Sequence, residues 1–289
     1  MGFLNDLKFY FKSVIFGCLV FTSSLTALIS LIFLKLTGNS KYAQYILARV
    51  FYFQFSKLLG VKVTIKNEHY LYQKPAIVIS NHQTAADILV LGKVFKPGYT
   101  VTAKKALKYV PILGLFMLGS GTFFLDRSKG EKARETLNKA LISLKKNDRA
   151  LFIFPEGTRS GTTKLDLLPF KKGAFHLAKQ AKIPIIPVAV SNYSNIFNAK
   201  SKTFNSGEII VEVLPPQSTA NLETNEDVTK FSIDIRDKIK EKIESLGYAK
   251  VSGQPSNKPH LVPEVSDSVQ EDDSEVEIVS EGTPLVSKD

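Results

Sequence analysis

The hydrophobic pattern of the chain changes character three times. Between Lys12 and Lys35 the run SVIFGCLVFTSSLTALISLIFL carries no charge, and as a helix it is long enough to enter or cross a hydrocarbon core, which takes about 20 residues. A cleaved signal sequence fits less well, because the apolar part exceeds the usual ~7–15 residues and no small-x-small site follows. Lys8 and Lys12 on one side are balanced by Lys35, Lys41 and Arg49 on the other, so loop charge does not choose an orientation. Residues 45–60, YILARVFYFQFSKLLG, are aromatic and apolar with interruptions at Arg49, Gln54 and Lys57. They read as a helix lying in the membrane interface, as the second arm of a helical hairpin, or as a buried connecting helix.

From residue 61 short β-rich runs alternate with helical stripes. VKVTIK, AIVIS, TVTA, TFFL, LFIF, IPIIPVAV and IIVEVL predict strands. EKARETLNKALISLKKN places Ala133, Leu137, Ala140, Leu141 and Leu144 on one helical face, and KGAFHLAKQA predicts a shorter helix. Val228, Phe231, Ile235, Ile239 and Ile243 form a further stripe closed by Gly247. Strands interleaved with helices predict a single α/β domain over 61–248 with a mainly parallel sheet flanked by helices, preceded by a membrane-anchoring helix or hairpin over 1–60. Residues 249–289, rich in Ser, Pro and acid, predict a disordered tail that buries too little apolar surface to offset chain entropy.

Charge sharpens this division. The net +11 of the 289 residues is uneven: residues 251–289 hold nine Asp or Glu against two Lys, a net of −7, which leaves +18 on residues 1–250. A basic folded part favours phosphates, in lipid headgroups or phosphorylated small molecules. No zinc-finger spacing, RNA-binding aromatic motif or basic recognition helix points to nucleic acid. The one cysteine, Cys18, sits in the apolar run without a disulfide partner, and four histidines lack metal-ligand spacing.

Four stretches bear candidate chemistry. VISNHQTAADILVL (78–91) puts His82 at the C-terminal end of a buried strand, where open α/β sheets bind ligands. On a regular helix His82 and Asp87 would point about 140° apart, so they meet only across a turn. There the Asp87 carboxylate can accept from one ring nitrogen of His82 and leave the other as a base. Alone, the pair also reads as a loop histidine beside a capping aspartate, with Thr84 as a helix cap. FPEGTRS (154–160) brings Glu156, Gly157, Thr158 and Arg159 to a second strand end: the turn can present backbone N–H groups and Arg159 can grip a phosphate, or the stretch is a surface turn with a charge pair. SGTFFLDRSKG (120–130) ends a third strand in Asp126 and Arg127. AKKALKYVPILG (103–114) places Lys104, Lys105 and Lys108 ahead of ILGLFMLGSG, which is suited to lining an apolar channel. His176, within a helical segment and with no acid at useful spacing, reads as a helix histidine. Asn192-Tyr193-Ser194 matches a glycosylation sequon but follows a core strand, and Pro187 reads as shaping a sheet edge.

NHQTAAD, GTFFLDR, FPEGTRS and IPIIPV, in this order and at these separations, resemble the four blocks of the glycerolipid acyltransferase family, and within it the 1-acylglycerol-3-phosphate acyltransferases. AKKALKYVPILG and PFKKGAF (169–175) resemble further segments of these enzymes. The match covers about residues 75–190, with Thr84 where Ser is common and the acidic tail outside the pattern. The resemblance implies transfer of an acyl group from acyl-CoA to lysophosphatidic acid at a membrane, with His82 and Asp87 as a base pair and no cofactor beyond the acyl-CoA co-substrate. It implies Arg127 and Arg159 at the glycerol phosphate, Lys105 either at a phosphate or at the charge on the carbonyl, and a Gly157 turn organised by Glu156 beside the developing oxyanion. It places the protein on the endoplasmic reticulum membrane or a lipid-droplet surface, with the catalytic domain facing the cytosol.

Overall fold

In a computed structural model of the chain, the structure describes residues 2–125, 136, 139, 141, 142 and 144–254. The fold is built on one mostly parallel sheet. Its strands are β1 (Val61–Lys66), β2 (Ala76–Ser80), β3 (Tyr99–Lys104), β4 (Phe123–Leu125), β5 (Ala150–Ile153), β6 (Ile185–Val190) and β9 (Gly207–Val213), in spatial order β1-β9-β6-β2-β5-β3-β4. All neighbours are parallel except β6 and β9. The two-residue β10 (Lys250–Val251) adds antiparallel to β9, and β7 (Phe197–Asn198) with β8 (Thr203–Phe204) makes a small separate hairpin. Each of the seven β-rich runs is a strand, with ends displaced by a residue or two.

The central strands read as continuous apolar runs because both faces are covered. In β2, Ala76 and Val78 point to one core, shared with Phe51, Phe55, Leu89 and Val90, whereas Ile77 and Ile79 point to the other, shared with Phe175, Ile235 and Ile239. The first layer is α1 (Gly2–Leu36), α2 (Ala43–Leu59) and α3 (Asp87–Val94). Gly92 of α3 permits its close approach to α2, since a Cβ there would lie 2.8 Å from the Cβ of Tyr52. The second layer contains α5 (Gly173–Ala181) and α6 (Asn225–Leu246). On α6, Val228, Ile235, Ile239 and Ile243 are buried as the stripe predicts, and a capping box of Thr224 and Asp227 starts the helix. Of the stripe read in residues 131–147, Leu141 and Leu144 are buried, while Ala133, Leu137 and Ala140 lie outside the described residues.

Helix α1 holds the one described segment long and apolar enough to cross a membrane, Leu4–Leu36, with mean hydropathy 2.1. At 35 residues the helix is about 50 Å long, longer than a hydrocarbon core of about 30 Å. Its first turns lie on the α/β body: Phe9 stacks on Phe197, and Asp6 pairs with Lys202 at 2.6 Å. Farther along, Phe11, Val14, Phe21, Ile29, Ile32 and Phe33 stay exposed. Helix α2 is the second arm of a hairpin with α1 and also connects to the core, burying Phe51, Phe55 and Leu59. The segment expected to line a channel forms α4 (Leu113–Gly119). It buries Phe116 and Met117 beside Ala27 and Leu31 of α1 and turns Leu115 and Leu118 outward.

Pro187 departs from expectation, because β6 lies between β2 and β9 and is no edge strand. Its carbonyl accepts from the Leu214 N–H at 2.9 Å, one residue past the end of β9. The N–H that proline lacks therefore falls at the terminus of that ladder, where its loss is tolerated. The sequon asparagine is also committed elsewhere: Asn192 is buried and its Nδ2 donates to the carbonyls of Thr162 (3.3 Å) and Lys164 (2.9 Å).

Candidate active site

Three adjacent parallel or near-central strands, β6, β2 and β5, deliver their C-terminal ends to one place. His82 lies two residues beyond β2, Glu156 three beyond β5, and Tyr193 three beyond β6. Asn81 ties the first and third ends together: its Oδ1 accepts from the Val190 N–H at 2.9 Å and its Nδ2 donates to the Val190 carbonyl at 3.1 Å. Gln83 does the same two residues on, its Nε2 donating to Ser191 O (3.0 Å) and its Oε1 accepting from Tyr193 N–H (3.1 Å).

Between β2 and α3 the chain turns so that Asp87, the first residue of α3, faces back at His82. Asp87 Oδ2 lies 2.7 Å from His82 Nδ1 and accepts from the backbone N–H groups of Gln83 (2.8 Å) and Thr84 (3.1 Å). The carboxylate thus closes the turn as well as meeting the ring, but it does not cap α3, which has no side-chain cap. Surrounded by donors, it takes Nδ1 as a further donor, which leaves the lone pair of His82 on Nε2. The His82 side chain is 17% exposed and that of Asp87 4%. Thr84 does not cap α3, whose N-cap is Ala86; its hydroxyl instead accepts from the Ala86 N–H (3.1 Å) and meets the Tyr193 hydroxyl at 2.9 Å.

Glu156 holds the second strand end to the first. Its Oε1 accepts from the His82 N–H at 2.5 Å and its Oε2 from the Leu168 N–H at 3.1 Å. Burial raises its pKa from an ordinary 4.5 to about 7; the two N–H donors oppose that rise and the charge of Asp87 adds to it. The backbones run alongside, with Ser160 N–H donating to His82 O (2.8 Å) and Gly161 N–H to Gln83 O (3.0 Å). Gly157 takes a φ of +75°, a left-handed conformation that favours glycine, and the flexible end of Lys171 crosses over it. Its N–H donates to Phe154 O at 3.2 Å, which leaves Thr158 and Arg159 as the exposed residues of the turn.

The acyltransferase family model matches residues 62–191. The chain is 46% identical over 262 residues to the 1-acyl-sn-glycerol-3-phosphate acyltransferase of Saccharomyces cerevisiae, covering 91% of this chain and 86% of the yeast protein. The chain belongs to the acyltransferase family. It is also 33% identical over 216 residues to human 1-acyl-sn-glycerol-3-phosphate acyltransferase beta, covering 74% and 76% of the two chains. The acyltransferase fold is shared with the crystal structure of the 1-acyl-sn-glycerophosphate (LPA) acyltransferase PlsC from Thermotoga maritima. The TM-score is 0.60 at 22% identity, over 84% of this chain and 95% of that one.

Within this acyltransferase the expected site residues are unequally gathered. His82, Asp87 and Glu156 are joined by direct hydrogen bonds, and Gly157, Thr158 and Arg159 share the Glu156 turn. Lys105 follows β3, two strands along from β2, and is exposed at the start of a 3-10 turn, Lys105–Tyr109. Arg127, like Asp126, lies outside the described residues; β4, which leads to it, ends at Leu125. His176 is on α5, within the second helical layer. Sequence reasoning missed two residues that touch the pair: Phe154, whose ring stacks on His82 at 3.9 Å, and Tyr193, whose hydroxyl donates to Asp87 Oδ1 at 2.7 Å. Phe154 stood in the quoted FPEGTRS block, but nothing in its spacing marks a ring partner. Tyr193 carried no signal beyond the sequon.

Proposed function

We infer that this acyltransferase moves an acyl group from acyl-CoA to the sn-2 hydroxyl of 1-acylglycerol 3-phosphate, giving phosphatidic acid and CoA. The observation that carries the reading is the 2.7 Å contact of His82 Nδ1 with Asp87 Oδ2 on a ring that retains some exposure. Such a ring offers Nε2 as a general base. As the sn-2 oxygen attacks the thioester carbonyl, its proton passes to His82 Nε2, the C–O bond forms and the C–S bond breaks. The imidazolium then returns the proton to the departing thiolate. The acceptor supplies the nucleophile, so no acyl-enzyme is needed, and no cofactor enters beyond the acyl-CoA co-substrate.

The acceptor is supported by the yeast and human relatives named for 1-acyl-sn-glycerol-3-phosphate acyl transfer. Arg159 is assigned to its phosphate, with Arg127 and Lys105 contributing positive charge. The amides of Thr158 and Arg159, which make no hydrogen bond among the described residues, suit the developing oxyanion better than the Gly157 amide already given to Phe154. Glu156 keeps that turn against His82. The apolar α1 supports membrane anchoring, and a location on the endoplasmic reticulum membrane or a lipid droplet, with the α/β body in the cytosol, gives access to acyl-CoA.

Conversion of lysophosphatidic acid by washed membranes, with and without acyl-CoA, tests the assignment. His82→Ala is expected to lower it about 10²–10⁴-fold while the protein stays folded and membrane-bound. Undiminished transfer in that variant refutes the base role. Free fatty acid released without an acceptor would identify a hydrolase instead.

A further inference from the structure

Tyr193 stands at the third strand end and takes no part in the proton transfer above, yet its ring is fully buried against the pair. Its hydroxyl donates to Asp87 Oδ1 at 2.7 Å, the oxygen His82 does not use. The Thr84 hydroxyl lies 2.9 Å from the same phenolic oxygen. A phenol has one proton, so with that proton on Asp87 the Thr84 hydroxyl is the donor to Tyr193. Thr84 Oγ1 in turn accepts from the Ala86 N–H, which leaves its proton for the phenol. The result is a directed chain, Thr84 to Tyr193 to Asp87.

The chain supplies what the other contacts lack. Three donors converge on Oδ2: His82 Nδ1 and the N–H groups of Gln83 and Thr84. They locate that atom, but torsion about a bond from tetrahedral to planar carbon is soft, so the carboxylate plane can still pivot around it. A donor on Oδ1 fixes the plane. Tyr193 is held for this purpose at its backbone, where its N–H donates to Gln83 Oε1. Burial, and next the charge of Asp87, push its phenol well above the ordinary value, so it remains a donor at every working pH.

We propose that Tyr193 is a positioning residue of the acyl transfer: through the Thr84–Tyr193–Asp87 chain it sets the carboxylate plane against which His82 is oriented. This rests on His82 being the base. The test is a double-mutant cycle of Tyr193→Phe, His82→Ala and the pair, assayed in detergent with acyl-CoA and lysophosphatidic acid after equal amounts of folded protein are confirmed by thermal melting. Tyr193→Phe keeps the ring and is expected to lower kcat about 10- to 100-fold, with both KM values within about twofold of wild type. In the His82→Ala background it should cost nothing further, because the group it positions is gone. An unchanged kcat, or the same loss in both backgrounds, overturns the proposal while leaving His82 as base. Full activity of His82→Ala overturns the base reading and this one with it. If Tyr193→Phe does not accumulate, Thr84→Val decides: it removes the hydroxyl that donates to the phenol, and a kcat loss confined to the His82-containing background supports the chain, whereas no loss overturns it.

Discussion

The imidazole of His82 lies flat against the ring of Phe154, with centroids 3.9 Å apart and planes inclined by 11°. Phe154 is braced in turn by the fully buried Phe152, edge-on at 5.1 Å. One face of the base is thereby shielded from water, and its rotation is confined to the plane that keeps Nδ1 on Asp87. Stacked aromatic pairs contribute about 0.5–1.5 kcal/mol beyond burial, enough to favour one ring orientation about 2- to 10-fold. Phe154→Ala should lower kcat by about that factor, at a modest cost in stability, since Phe154 is partly buried against the core. Phe154→Tyr should retain the rate. Initial rates on the purified variants check this, and wild-type kcat in Phe154→Ala would show that the stack is incidental.

Glu156 predicts a dependence of stability on pH. Its pKa is about 7 in the folded protein against 4.5 ordinarily, chiefly because the carboxyl is buried. Between those values the folded chain holds a proton that the unfolded chain has released. The contribution of this group is therefore full below about pH 4.5, falls as pH rises through 7, and is gone above it. Glu156→Gln, which does not titrate, should remove this slope while losing one of the two backbone acceptors. The difference in melting temperature between wild type and Glu156→Gln should shrink from pH 5 to pH 8. A difference that stays constant over that range would mean that Glu156 ionises normally.

The elements with a repeating signal were legible, and the contacts between them were not. VKVTIK, AIVIS and IIVEVL are dense in β-branched residues, and the stripe from Val228 to Ile243 recurs at helical spacing, so local pattern sufficed. The two-residue strands β7, β8 and β10 are too short to carry any period. His82 and Asp87 were visible because both partners lie within one turn. Tyr193 reaches Asp87 from 106 positions away, through the adjacency of β6 and β2, and strand order is not written in either strand. Pro187 was misjudged for the same reason: its tolerance depends on where β9 ends, a fact of pairing and not of composition.

Arg159 gives a prediction of a different kind, on binding and not on rate. It is exposed on the turn after β5 and makes no hydrogen bond to the described residues, so removing it should leave the fold unaltered. A charge-assisted hydrogen bond contributes about 1.5–3 kcal/mol, which for a phosphate contact corresponds to a KM about 10- to 100-fold higher. Arg159→Ala should show that rise for lysophosphatidic acid, with KM for acyl-CoA near wild type. Arg159→Lys should recover only part of it, since the planar two-pronged grip is lost. If both substrates weaken together, the arginine serves the turn and not the acceptor.

The hairpin of α1 and α2 is fastened by a polar contact in an apolar setting. Gln54 Oε1 accepts from the hydroxyls of Thr22 (3.1 Å) and Ser23 (3.0 Å). Thr22 also reaches the Leu19 carbonyl, whereas Ser23 is fully buried and its hydroxyl depends on Gln54. Gln54→Leu should therefore destabilise the protein by about 1–3 kcal/mol, the cost of leaving a buried hydroxyl unsatisfied. Ser23→Ala added to it removes the stranded donor and should restore most of the loss, because replacing both partners of a buried hydrogen bond by apolar groups is nearly neutral. Thermal melting of the two variants in detergent micelles decides the matter. If the double variant melts below Gln54→Leu, the glutamine acts by packing and the hydrogen bonds to α1 contribute little to holding the hairpin closed.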